Sequence, residues 1–306
     1  MDKLGAMKTF VRVVEAGSFS AVANEGNTTQ SAVSKQVAAL ERELGARLMT
    51  RTTRSLALTE EGARYFEQAR RLVAEIAEAE AVVRTGEEEL TGWLRVEASV
   101  AFGRLRLMPL IRSFLAKHLG VKIDLRLNDN FVDLVEHGID VAVRLGELTD
   151  SSLVARRIGT TRRWVVAHRD YLRRLPKGRK PPRTPEDLLQ HNCLVYTELP
   201  WRNSWTFIAG PGAPEPAGTA RMVRVTGNLQ TNSSEVIRTA VLEGMGIANA
   251  PTWLFDMELT QGEVQRLLPD WQAPDIPIHF VSPRERRHSA KVKAFADYVA
   301  KAMAGS

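Results

Sequence analysis

Two short stretches of this 306-residue chain carry side chains whose types and spacing suit the reading and gripping of a polyanion. From residue 30 onward, Gln30, Ser31, Ser34, Lys35 and Gln36 fall on one side of a helical repeat whose other side is Val33, Val37 and Leu40. Their chemistry fits the edges of DNA bases: a glutamine carboxamide pairs bidentately with adenine, lysine bonds to guanine, and a serine hydroxyl bonds to either. Further on, Arg51-Thr52-Thr53-Arg54 lies between Leu48-Met49 and Leu56-Ala57-Leu58, the pattern of a hairpin whose basic tip touches phosphates. Such contacts orient a protein on a duplex without reading its sequence. A polar stripe standing alone is ordinarily a solvated helix face, so the assignment rests on what surrounds it.

Catalytic chemistry finds little support. There is no Gly-x-Ser-x-Gly elbow, no His-Glu-x-x-His and no phosphate loop, and Gly244-Met245-Gly246 lacks the third glycine and following helix of a dinucleotide site. His191 and Cys193 stand two apart and would share one side of a strand, but no second pair completes a nucleophilic or metal site. A buried structural Cys193 is the simpler reading, and neither cofactor nor metal is expected. As the sole cysteine it excludes an intrachain disulfide and fits a reducing compartment. No apolar run reaches the roughly 20 residues of a membrane span. The start of the chain is a helical pattern (Leu4, Met7, Phe10, Val11, Val14) without a secretory apolar core, so a cytoplasmic protein with no membrane partner is expected. A net charge of +6 agrees with an anionic partner.

The elements that must position the two stretches are legible. Ser18 caps a helix carrying Phe19, Val22 and Ala23, Gly26-Asn27 stops it, and Thr28-Thr29 offers the next N-cap directly before Gln30. Leu44-Gly45 ends that second helix, after which Leu48 and Met49 return to the core. Thr59 caps a third, long helix free of glycine and proline over residues 63–85. On it Tyr65, Ala69, Leu72, Ile76, Ala79 and Val83 advance by alternating steps of four and three, the seam either of a two-helix contact or of a helix packed on its own domain. Glu87-Glu88-Glu89 and Thr91-Gly92 then read as a hinge. From Trp93 onward strands alternate with helices: strands over 94–98, 121–127 and 139–145 with helices over 105–118 and 131–136, then a second α/β unit from about residue 163. This βαβ order predicts parallel sheets with ligand-binding loops at the carboxyl ends of the strands.

In Phe10, Gly17-Ser18-Phe19-Ser20-Ala21, the run from Gln30 to Gln36, Leu40-Glu41, Leu44-Gly45, Leu48, Arg51-Thr52-Thr53-Arg54 and Leu58-Thr59-Glu60-Glu61-Gly62, the chain resembles the winged helix-turn-helix of the LysR-type transcriptional regulators. Gly26 stands where that family usually has leucine, and Met49 where it usually has phenylalanine. The remainder is similar to the family's effector-binding region in Leu94-Arg95-Val96, Val132-Asp133-Leu134-Val135, the run from Asp140 to Gly146, the run from Ser152 to Arg156 and Gly244-Met245-Gly246-Ile247-Ala248, with His118-Leu119-Gly120 replacing the usual tyrosine-proline. The resemblance implies an α/β protein: an N-terminal winged helix-turn-helix (residues 1–60), a long linker and dimerisation helix with its hinge (61–91), and a two-subdomain periplasmic-binding-protein-like effector domain (92–306). Within the last, subdomain I is 92–163 and 269–306 and subdomain II is 164–268. It also implies a homodimer or homotetramer on double-stranded promoter DNA at an imperfect palindrome, contacted by Thr29 to Ser31, Ser34 to Gln36 and the basic tip, and a small-molecule effector between the two units.

The loops expected to converge on that effector are Ser99-Val100-Ala101-Phe102 and Arg144-Leu145-Gly146-Glu147 from one unit, and Arg202-Asn203, Thr231-Asn232 and Ile247-Ala248-Asn249 from the other. Hydroxyls at helix N-termini near Ser99 and Thr231 favour an anion such as an organic acid. Arg144 would complete a carboxylate clamp, unless it pairs with a neighbouring acid such as Glu147 or Asp129. A solute-binding protein would explain only the two-unit region, and an enzyme would explain none of these features.

Overall fold

The computed structural model describes residues 2–51, 56–85, 90–130, 132–148, 153–286 and 289–304. They fall into two compact units, Met1–Trp93 and Leu94–Ser306.

In the first unit α1 (Lys3–Ala16), α2 (Phe19–Glu25) and α3 (Gln30–Leu44) precede a two-stranded antiparallel ribbon, β1 (Met49–Arg51) with β2 (Leu56–Leu58), and then α4 (Glu60–Thr85). Each of the first three helices starts where a side-chain oxygen takes an otherwise orphaned N–H: Asp2 from Gly5, Ser18 from Ala21, Thr29 from Ala32. α1 and α3 stop at Gly17 and Gly45, whose φ values of 63° and 66° are left-handed and disfavour any residue bearing a Cβ. The apolar stripes meet at Phe10, Val13, Val33, Leu40 and Leu48, each at most 2% exposed, and Met49 packs into the same core. Each such side chain contributes about 2 kcal/mol by leaving water. The Glu41 carboxylate accepts the N–H groups of Leu48 (2.8 Å) and Met49 (3.1 Å), which fixes the start of the ribbon against α3.

The second unit opens with β3 (Gly92–Ala98) and a continuous helical run of α5 (Val100–Phe102), a π-helical segment (Gly103–Leu107) and α6 (Met108–Lys117). β4 (Val121–Leu127), β5 (Val141–Leu145) and β6 (Val154–Thr161) follow. One residue later the chain enters β7 (Arg163–His168), α7 (Arg169–Arg173), a 3-10 segment (Pro185–Gln190), β8 (Cys193–Tyr196), β9 (Ser204–Ala209), β10 (Ala220–Arg224) and β11 (Gln230–Thr231). Then come α8 (Ser234–Leu242), β12 (Ile247–Pro251), a 3-10 segment (Thr252–Phe255), α9 (Asp256–Thr260), β13 (Val264–Leu267) and β14 (Trp271–Gln272). The chain returns through β15 (Ile276–Ser282) to α10 (Ala290–Ala304). Two five-stranded sheets result, ordered β4-β3-β5-β15-β6 and β11-β8-β12-β7-β13, with β10-β9-β14 as a third, smaller sheet.

Two expectations are corrected. The sheets are mixed rather than parallel: β3 is parallel to β5, as βαβ order demands, but β15 comes back from the other sheet and inserts antiparallel to both β5 and β6. β7 likewise runs antiparallel to both β12 and β13. The helix expected over 131–136 is a turn over the described residues, because the Asp133 carboxylate takes the N–H groups of Val135 and Glu136 and so competes with helical pairing. Phe131 and the hinge residues 86–89 lie outside the described residues. No helix among the described residues is long and apolar enough to cross a membrane.

Candidate DNA-reading face and ligand cavity

On α3 the apolar side is spent on the core, so the opposite side is left to solvent. Gln30, Ser31, Lys35 and Gln36 are exposed and Ser34 is half-buried. Thr29 belongs to the start of the helix rather than to its face, since its hydroxyl oxygen accepts the Ala32 N–H at 3.2 Å. Gln36 leans toward α1, where its Oε1 accepts the Thr9 hydroxyl at 2.7 Å. That leaves Gln30, Ser31 and Lys35 as the exposed side chains of the first turns without this kind of tether to α1. β1 and β2 pair Met49 with Leu58 and Arg51 with Leu56, so the strands of the wing are in place. Thr52, Thr53 and Arg54, and the side chain of Arg51, lie outside the described residues.

The seam residues of α4 divide. Ala69 is fully enclosed in the core of its own unit and Tyr65 packs there with its ring 5.7 Å from that of Phe10, so these two serve the domain rather than a contact with a second chain. Leu72 is 47% exposed and Ile76 half-buried. The side chains of Ala79 and Val83 are outside the described ones.

In the second unit a cavity of about 90 Å³ lies among the ends of β3, β4 and β5 on one side and β7, β8, α8 and β12 on the other. Of the expected residues it takes Ser99, Arg144, Leu145 and Asn249. Val100 stands just behind, donating its N–H to the Asp129 carboxylate at 3.0 Å, while Asp129 itself lines the cavity. Ala101 and Phe102 are fully buried, and the Phe102 ring meets the cavity residue Trp253 edge-on at 5.4 Å.

The other expected residues are not at the cavity wall, for reasons of topology. Gly146, at φ 112°, turns the chain and donates its N–H to Pro277. Arg202 and Asn203 shape the turn before β9, Arg202 accepting the Trp205 indole N–H and Asn203 bonding to Val225. Thr231 accepts the Ser233 N–H through its hydroxyl, and Asn232 reaches the wall only through its amide, which bonds to Asn130 at 3.1 Å. Ile247 is fully buried under its sheet.

Arg144 does not stand free. Its guanidinium bonds to Glu97 at 3.1 Å and to the Val132 carbonyl at 2.9 Å, so its acidic partner is neither Glu147 nor Asp129 but a residue on the adjacent strand β3. Burial pushes the Glu97 carboxyl above its ordinary range, and the Arg144 charge opposes that shift. The cation that sequence reasoning missed is Arg163, which burial pulls down to about 10, still charged at neutral pH. Tyr196 and Trp253 were missed with it, whereas Asn249, the last residue of the expected run from Ile247, does line the cavity. The available signal was the second arginine of the pair Arg162-Arg163, which opens the apolar strand Trp164-Val165-Val166-Ala167 at the passage between the two sheets.

The His191 and Cys193 pair holds no nucleophile. The His191 Nδ1 faces the Tyr171 hydroxyl at 3.1 Å, whereas the Cys193 thiol donates to the Leu188 carbonyl at 3.6 Å, and burial pushes it up to about 12. At pH 8 an ordinary thiol, with a pKa near 8.5, is substantially ionised, so alkylation of native Cys193 by iodoacetamide is expected to run about 10³-fold slower than after unfolding in guanidinium. Equal rates in the two states would contradict the burial.

A polar helix face shaped for a groove, carried in one chain with a two-sheet domain that encloses a cavity, defines the class of ligand-responsive DNA-binding regulators. The particular family follows from sequence: residues 4–63 match the family model described as the bacterial regulatory helix-turn-helix protein, lysR family, and residues 87–304 the LysR substrate binding domain. The chain belongs to the LysR family of transcriptional regulators, with a DNA-binding helix-turn-helix and an effector-binding regulatory domain. It is 33% identical to the HTH-type transcriptional regulator CrgA of Neisseria meningitidis serogroup C, over 96% of this chain and 94% of that protein. It is also 33% identical to the regulator PtxR of Pseudomonas aeruginosa, over 96% and 91%. Among solved structures it resembles CrgA (TM-score 0.60, 31% identity, 98% of each chain) and the full-length Vibrio cholerae virulence activator AphB (TM-score 0.57, 27% identity, 97% and 98%).

Proposed function

We propose that the chain binds DNA in the bacterial cytoplasm as a homodimer, or as a dimer of dimers, at an imperfect palindrome whose half-sites lie about 10 bp or a multiple apart, because two-fold related helices must meet the same groove on one face of the duplex. Gln30, Ser34 and Lys35 read base edges, and Arg51 and Arg54 grip phosphate. A small molecule in the regulatory cavity shifts the balance between forms that differ in promoter binding or activation. The observation that carries the reading is the division of α3, with Val33, Val37 and Leu40 buried while Gln30, Ser31 and Lys35 face solvent.

Replacing Gln30 by alanine is expected to cost on the order of 1–3 kcal/mol on the correct site and little on random DNA, whereas Arg51→Ala weakens both alike. Fluorescence anisotropy at fixed salt with both duplexes separates the two effects. Equal loss on both duplexes for Gln30→Ala would remove it from the reading face.

A further inference from the structure

We propose that the regulatory cavity takes a small monocarboxylate with an apolar body, its carboxylate held by Arg163 and the Asn249 side-chain amide rather than by Arg144. The inference rests on the reading of this cavity as the effector site and specifies its chemistry. Both side chains line the cavity, at 6% and 8% exposure. The Arg163 Nη2 donates to the Asn249 backbone carbonyl at 3.0 Å and its guanidinium lies 5.6 Å from the Trp201 ring centre, but its Nε is buried with no hydrogen-bond partner. Among the described residues no carboxylate lies within ion-pair distance of it.

The Asn249 Nδ2 and Oδ1 are likewise buried and unpartnered. A desolvated guanidinium without a counter-charge is costly, as is an orphaned amide, and together they lack what a carboxylate supplies: two acceptor oxygens for the guanidinium fork and the amide N–H groups. Arg144, the other cation on the wall, is already matched by Glu97. Ile237, Trp253 and Leu254 provide an apolar wall for the rest of the ligand, while the acids Asp129 and Glu198 set the cavity against a second negative charge.

The test uses the full-length protein and its melting transition, with sodium benzoate and sodium hexanoate as probes, benzamide and hexanamide as neutral counterparts, and phthalate as the dianion. The acids are expected to raise the transition of the regulatory domain and the amides and phthalate to leave it unchanged. Arg163→Met should weaken acid binding about tenfold or more. Without ligand the same variant should melt about 2–4 °C higher, because it removes a buried charge that the fold itself leaves unmatched. A lower melting temperature for unliganded Arg163→Met, amides binding as well as acids, or no shift with any acid overturns the proposal. If an acid binds through Arg163 yet leaves DNA affinity and transcription from the target promoter unchanged, the effector reading of the cavity falls and the carboxylate site stands.

Discussion

The Gly62→Ala variant is expected to lose specific DNA binding through collapse of the first unit, while the regulatory domain melts as before. Gly62 lies in the first turn of α4, and a Cβ there would stand 1.8 Å from the Leu48 carbonyl oxygen and 2.7 Å from its carbon. Both are backbone atoms, so no side chain can rotate away. That oxygen also accepts the Thr59 N–H at 3.0 Å. The Thr59 hydroxyl in turn accepts the Gly62 N–H at 2.9 Å and donates to the Arg47 carbonyl at 2.6 Å. An alanine must therefore push β1 off the helix and break this junction, together with the hold of Glu41 on Leu48 and Met49. Overpacking of a fitted contact commonly costs about 1–3 kcal/mol, and a collision with backbone belongs at or above the top of that range. In a domain of this size each kcal/mol lowers the transition by about 4–8 °C, so calorimetry of the full chain should show a fall of more than about 10 °C in one transition only. An alanine variant melting within a degree of the parent would show that β1 does not lie against α4 as described.

The second large effect concerns assembly. Leu72→Glu places a charge at an apolar position of α4 that is 47% exposed in the single chain, so the fold of the protomer should barely notice it. If α4 meets its own copy across a two-fold axis, the two glutamates face each other in an apolar seam and the dimer separates. A dimer engages two half-sites at once, and losing the second, effectively intramolecular contact should reduce affinity for the full site by about 10²–10⁴-fold. Sedimentation and band-shift titrations read the two consequences separately. Unchanged mass and unchanged DNA affinity would mean that Leu72 is outside any interface that matters for binding. Leu72 is a cleaner probe than Tyr65 or Ala69, which are committed to the domain's own core.

What could be read in the sequence was local. Ser18, Thr29 and Gly45 mark helix ends because capping involves neighbours three residues away or a single φ angle, and the buried and exposed sides of α3 follow from a spacing of three and four. The pairing of β1 with β2 is legible for the same reason, as the two strands lie close together in the sequence. From these the helix-turn-helix, its exposed face and the family could be named. The tertiary structure decided the rest. Whether α4 faces its own domain or a second chain changes along its length, because Phe10 of α1 reaches Tyr65 while Leu72 lies beyond the core, and the periodicity is the same for both. The ligand cavity was predicted from loops at strand ends, but its walls depend on which strands are neighbours. β15 returns antiparallel into the first sheet, Glu97 meets Arg144 from 47 residues away, and Arg163 meets Asn249 from 86 away. Charge neutralisation depends on distance in space, which linear order does not record at such separations. The sequence could place Arg144 at a strand end but not choose between a ligand and an acid as its partner, and only the fold shows that Arg144 is already matched by Glu97 and that Arg163 is not matched.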